Sequence, residues 1–112
     1  IVRNIYKNYQ YTKKDCFELM DCDSDEYYLS NHMEAGVCGF IKNNETIRFV
    51  TEWLNCCKNY AIINDVYKSP NQSGFIDHRH DQSILTNLVI KHKIKTIDIS
   101  VVSEYISFGS LK

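Results

Sequence analysis

The stretch Phe75-Ile76-Asp77-His78-Arg79-His80-Asp81-Gln82-Ser83 is the most unusual in the sequence, because it sets histidines, an arginine, carboxylates and an amide side by side. In an extended chain, residues i and i+2 face the same way, so His78 and His80 fall on one side and Arg79 on the other. A histidine pair can bind a divalent metal or donate to phosphate. The planar guanidinium of Arg79 offers a fixed fork of donors that fits phosphate oxygens. Asp81 and Ser83 sit where a helix would begin, and the free N–H groups of a helix N-terminus attract anions such as a diphosphate. A plainer reading stands beside this one. Asp81 can be an N-cap, the histidines can be half-buried and bonded to the main chain, and Arg79 can form a surface ion pair.

The elements that must position this stretch follow from the apolar spacing. A helix is expected from near Asp81 to about His92, with Ile84, Leu85, Leu88 and Val89 as its inner face and Lys91 and Lys93 at its C-terminal end. The irregular connection before it, 64–80, holds the only proline, Pro70, and Gly74. Connections of that length in compact domains often carry function. A second helix is expected over 45–58 behind Asn43-Asn44, with Asn44 as its N-cap. Its stripe is Ile47, Val50, Leu54 and Cys57, widened by Phe49, Trp53 and Cys56, which implies burial on more than one side. Within it, Trp53 and Leu54 are expected in the core and Glu52 at the exposed edge.

Further upstream, Thr12 and Asp15 are spaced as a capping box, with Tyr11 and Cys16 at the staple positions and Phe17, Leu19 and Met20 as apolar contacts. Residues 21–32 read as an acidic, polar loop. The apolar, glycine-containing run Glu34 to Ile41 reads as a buried strand, and the alternation over 96–101 as a half-buried one. Residues 1–11 show no period, and the tail from Ser103 is weakly determined. The resulting order of elements is α/β, in one domain or domain fragment spanning 1–112.

Composition narrows the function classes. A formal net charge of −1 gives no general affinity for nucleic acid or anionic membrane, and no apolar run approaches a membrane span. The five cysteines (Cys16, Cys22, Cys38, Cys56 and Cys57) are odd in number and contain no C-x-x-C. Most read as small buried apolar residues, which favours a reducing, cytoplasmic compartment. The sequons Asn44-Glu45-Thr46 and Asn71-Gln72-Ser73 carry little weight, because this composition produces about one by chance. Two metal motifs fail on spacing. No histidine follows Asp81 as H-x-H-x-D-H requires, and a calcium loop starting at Asp21 would place Glu26 at its glycine and His32 at its terminal glutamate. The run Asp21-Cys22-Asp23-Ser24-Asp25 follows a helix rather than an apolar strand, so it reads as a solvated loop.

Several segments together resemble a family. Tyr11-Thr12-Lys13-Lys14-Asp15-Cys16-Phe17, the small-residue run Ala35 to Ile41, Glu52-Trp53-Leu54, and His78-Arg79-His80-Asp81-Gln82-Ser83 followed by Ile84-Leu85 occur in an order and spacing similar to GT-A glycosyltransferases that build capsular polysaccharides and glycans. The likeness covers roughly 11–95, and the H-R-H-D-Q-S stretch is its specific part. It implies the C-terminal, acceptor-side portion of a Rossmann-like GT-A fold, a nucleotide-sugar donor, a glycan or protein acceptor, and a divalent metal, Mn²⁺ or Mg²⁺. The D-x-D motif that would hold the metal belongs to an N-terminal half not present here. By the same resemblance, Asp81 accepts from a sugar hydroxyl or serves as the catalytic carboxylate, and Gln82 orients. His78, Arg79, His80 and Ser83 line the diphosphate or acceptor side. Two other readings of the same residues are a metal-dependent phosphoesterase or other hydrolase using His78, His80 and Asp81, and a non-catalytic α/β binding module.

Overall fold

The computed structural model describes residues 1–36 and 38–102. Val37, inside the expected strand, and the tail from Ser103 lie outside the described residues. The helix expected near Asp81 is the centre of the core. It is α6, Asp81–Lys91, after α1 (Asn8–Tyr11), α2 (Lys14–Leu19), α3 (Asp25–Tyr28), α4 (Asn44–Cys57) and α5 (Tyr60–Ile63). Ile84, Leu85, Leu88 and Val89 join Phe17, Met33, Phe49 and Ile62 in the core. The polar face of α6 is buried as well, and its side chains have partners. Ser83 Oγ donates to the Tyr11 carbonyl at 2.5 Å. Thr86 Oγ1 accepts from Met33 N–H at 2.9 Å and donates to the Gln82 carbonyl at 2.9 Å. Asn87 Oδ1 accepts from Asn8 Nδ2 at 2.9 Å. A helix can be enclosed on every side only when its polar groups are matched in this way. Its C-terminal end closes through Lys93, at φ 53°, as Ile94 N–H reaches back to the Val89 carbonyl at 3.0 Å.

A three-stranded mixed sheet packs on α6 through one of its edge strands. β1 (Val2–Lys7) is its central strand. β2 (Asn31–Glu34) pairs with it antiparallel, Arg3 opposite Met33, and β3 (Ile97–Asp98) pairs parallel, Val2 opposite Ile97. The α/β class expected from the sequence is therefore met. Among the described residues, no helix is long and apolar enough to cross a membrane.

Several local expectations are corrected. The capping box at Thr12 does not form. Thr12 Oγ1 donates to Asn8 Oδ1 at 2.6 Å, and Asp15 accepts from the Lys68 and Ser69 N–H groups at 2.7 and 2.9 Å, so the helix starts at Lys14. The strand expected over 34–41 is displaced upstream. β2 ends where that strand is expected to begin, and Phe40 and Ile41 are exposed. The loop expected over 21–32 contains α3 and the first residues of β2. The strand expected over 96–101 shrinks to β3, and the chain then turns into a short helix, α7 (Ile99–Val102).

α4 is displaced by one residue and rotated from the expected face. Asn43 is its cap, accepting from Thr46 N–H at 2.9 Å. Phe49 is buried and Trp53, Cys56 and Cys57 pack against the core, whereas Ile47, Val50 and Leu54 are exposed. The aromatic flank wins because it meets α6, where Trp53 Nε1 donates to the Asp81 carbonyl at 2.9 Å. Glu52 reaches His92 at 2.7 Å. The cysteines are free, and Cys16 and Cys22 are fully buried. Burial pushes the Cys22 thiol up to about 11, so it behaves as an apolar group.

Candidate functional site

The C-terminal end of α1 holds the 75–83 stretch in place. The last carbonyls of a helix lack intrahelical partners, and here the stretch supplies them. Ile76 N–H donates to the Gln10 carbonyl at 2.7 Å, and Arg79 N–H to the Tyr11 carbonyl at 3.0 Å. Ser83 Oγ accepts from Arg79 N–H at 3.0 Å while donating to Tyr11. Residues 10–13 and 76–83 thus form one hydrogen-bonded unit. Gly74 makes the approach possible. It has φ 92°, and a Cβ there would lie 3.0 Å from the Tyr9 ring.

Arg79 to Gln82 is a tight turn, closed by Gln82 N–H to the Arg79 carbonyl at 3.1 Å. His80, at φ 54° and ψ −116°, occupies its first central position. The angles match a type II′ turn, where glycine is usual. A side chain held in such a conformation is strained, and strain of this kind concentrates at functional sites. The turn takes one of the first amides of α6, Gln82 N–H, onto the Arg79 carbonyl, while Ile84 N–H makes the ordinary first helical bond to the His80 carbonyl at 3.1 Å, so the anion-binding terminus expected for a diphosphate loses one donor.

The histidines do share a side, with their rings in edge contact at 5.5 Å, but their environments differ. His78 is buried. Its Nδ1 accepts from Lys13 N–H at 3.2 Å and its Nε2–H donates to the Ile62 carbonyl at 2.9 Å. A main-chain N–H only donates and a carbonyl only accepts, so His78 is neutral with its proton on Nε2. Burial lowers its pKa to about 4, against the opposing effect of the Ile62 carbonyl. His80 is exposed and pairs with Asp65 at 2.8 Å. Among the described residues, no group of three or more His, Cys, Asp or Glu side chains gathers as a metal site.

Arg79 lies on the other side. Its guanidinium carbon is 4.6 Å from the centre of the Tyr11 ring, and Nε donates to Asp77 at 2.9 Å. It edges a pocket of about 100 Å³ that is also lined by Gln82, His32, Glu34, Tyr6 and Tyr11. Asp81 is not in that lining. It lies toward α4, where its main-chain carbonyl takes the Trp53 N–H and its charge adds to burial in holding the Cys57 thiol up at about 11. The Asp81-Gln82 pair therefore faces two directions rather than one.

His32 carries no signal in the sequence, where it sits in an acidic, polar run without a motif. It is fully buried, and the Gln82 amide nitrogen lies 3.2 Å from its Nδ1. Among the described residues, its Nε2 has no partner. Burial, then the charge of Arg79, lowers its pKa to about 3, so the ring is neutral. Lys13 is the other residue without a sequence signal. It is wholly buried, and Nζ donates to the Asn64 carbonyl at 2.7 Å, to Asn64 Oδ1 at 2.6 Å and to the Val66 carbonyl at 3.2 Å. With Asp15 it pins the 64–69 segment.

A larger concavity of about 630 Å³ lies beside that segment, bounded by Leu19, Tyr60, Ala61 and Val66. It holds two carboxylates, Glu18 and Asp15, of which Asp15 is spent on main-chain amides, whereas the smaller pocket gathers a guanidinium, an amide, an imidazole and a carboxylate. No protein-family model, curated protein or solved structure matches the chain.

Proposed function

We propose that this chain is the acceptor-side portion of a GT-A-type glycosyltransferase that moves a sugar from a nucleotide-sugar donor to a glycan or protein acceptor. The observation that carries the reading is the docking of 10–13 onto 76–83. It joins two of the segments by which the sequence resembles those enzymes. Beside that joint lies a pocket with a guanidinium, an amide, a carboxylate and two tyrosines. Few, convergent polar groups against aromatic walls are what a small polar ligand needs.

In this reading Gln82 orients an acceptor hydroxyl from the pocket side. Asp81, exposed in the first turn of α6, accepts from a sugar hydroxyl on the side facing Trp53. His80, strained and paired with Asp65, holds the turn between them. The donor set around His78 and His80 does not fit a divalent ion, since both ring nitrogens of His78 are spent on the main chain and His80 is bonded to Asp65. The Mn²⁺ or Mg²⁺ implied by the resemblance is therefore assigned to other residues of the enzyme, and no step here runs through it. The phosphoesterase reading loses support for the same reason, because His78 has no free nitrogen.

The test uses the natural full-length polypeptide that contains this chain, with a panel of nucleotide sugars and sugar acceptors. Asp81→Asn and Gln82→Ala should each lower transfer on the order of 100-fold, and Asp81→Asn should leave the melting temperature unchanged. Fold retention is expected because the contact Asp81 makes with Trp53 uses its main-chain carbonyl. Absence of transfer from every donor, or full activity of Asp81→Asn, would turn the assignment toward a binding module.

A further inference from the structure

We propose that the pocket between Arg79 and Glu34 binds one neutral saccharide ring, with His32 Nε2–H donating to a hydroxyl oxygen. Only the assignment of that ring to the acceptor rests on the glycosyl-transfer reading.

The first observation is the orphaned nitrogen. Buried polar atoms nearly always have partners, yet Nε2 of the fully buried His32 has none among the described residues. The Gln82 amide nitrogen donates to Nδ1, which places the ring proton on Nε2. The unmet need is therefore for an acceptor oxygen, and His32 is part of the pocket wall.

The second observation is the mixture of charges around the same space. Arg79 attracts an anion, but Glu34 lines the pocket too and repels one. The Arg79 guanidinium is already shared between Asp77 and the Tyr11 ring. A diphosphate would meet one carboxylate and a partly engaged cation. A hydroxyl can donate to Glu34 and accept from His32 or Arg79, so a polyol satisfies both kinds of group. Size points the same way. About 100 Å³ is the space of a few water molecules, enough for the hydroxyl-bearing edge of one ring and too little for a nucleotide. Tyr6 and Tyr11 stand edge to face at 5.3 Å and give the C–H side of that ring an apolar wall.

The experiment follows the imidazole ¹⁵N resonances of the 112-residue chain by long-range proton–nitrogen NMR. The probes are the methyl pyranosides of glucose, galactose, mannose and N-acetylglucosamine, set against UDP and inorganic phosphate. At least one pyranoside should shift the His32 Nε2 signal saturably. His78, with both nitrogens bonded to the main chain, serves as the internal control and should not move. Glu34→Gln, at a partly exposed position that keeps the fold, should weaken that response about tenfold, the equivalent of one hydrogen bond to a charged group. No pyranoside shift at His32 overturns the proposal, as does a shift by phosphate or UDP alone. Saccharide binding without sugar transfer by the full-length protein would retain the subsite and remove the catalytic reading. Transfer without any pyranoside at His32 would do the reverse.

Discussion

The main-chain N–H of Lys13 donates to Nδ1 of His78 at 3.2 Å, across 65 positions of sequence. With Ile62 on its other nitrogen, the ring bridges α5 and the residue that caps α2, and must stay neutral to do so. Its folded pKa, about 4, lies below the ordinary value of 6.5. The unfolded chain thus binds a proton more readily than the folded one between those values. Stability is fully present above about 6.5 and is lost as pH falls toward 4. The His78 shift corresponds to a loss of about 3 kcal/mol, and His32, lowered to about 3, extends the loss in the same direction. Urea midpoints at about pH 7.5 and about pH 4.5 measure this, and equal midpoints would show that His78 is not buried in its neutral form.

His80→Gly should stabilise the protein. The φ of 54° and ψ of −116° suit glycine, and releasing a strained side chain from that region is worth about 1 kcal/mol. In exchange, the substitution gives up an exposed hydrogen bond with Asp65, which contributes little in water. Thermal unfolding of the variant should show a raised midpoint, and sugar transfer by the full-length protein should fall as the turn loses its His80–Asp65 support. A lowered midpoint would mean that the pairing with Asp65 outweighs the backbone strain.

Asn87→Leu should destabilise although it keeps the number and branching of the heavy atoms. Asn87 Oδ1 accepts from Asn8 Nδ2 where both residues are fully buried. Removing one member of a buried hydrogen-bonded pair costs about 1–3 kcal/mol. Asn8 keeps its bonds to Tyr27 and Thr12, so the loss belongs at the lower end. Urea denaturation of the single and double Asn8 and Asn87 variants gives the coupling directly, and strictly additive losses would mean that the pair is not coupled.

Legibility follows the strength of the apolar period. α6 is readable to within a residue or so because Ile84, Leu85, Leu88 and Val89 are spaced as one face, and α4 because Asn43 and Asn44 mark its start. The face of α4 is not, because Ile47, Val50 and Leu54 are as apolar as the Phe49–Trp53 flank that is buried. β1 gives no signal because it buries Asn4 beside Val2 and exposes Ile5. The apolar run to Ile41 has the pattern of an interior strand, yet its Phe40 and Ile41 lie at the surface. At the candidate site, the sequence shows the chemical types of 78–83 and the sides that His78 and Arg79 take. It does not show that His78 is consumed by main-chain partners, nor that His32 and Glu34 join the pocket. Those facts depend on how β2 is laid against α6, which no local pattern encodes.

The central strand of the sheet begins at Val2, and one of its two neighbours comes from near residue 97. Closing a loop of that span is slow compared with forming the local helices, so the β1–β3 ladder is a late event in folding. A nascent chain would carry β1 with one bare edge until β3 is synthesised, and bare strand edges recruit other chains. Charged residues on the strand, Arg3 and Lys7, discourage such pairing. Arg3 then bonds Thr96 at 2.5 Å, 93 positions away, and pairs with Asp98 at 3.5 Å. The same guanidinium guards the edge during the wait and fastens it when the proper strand arrives.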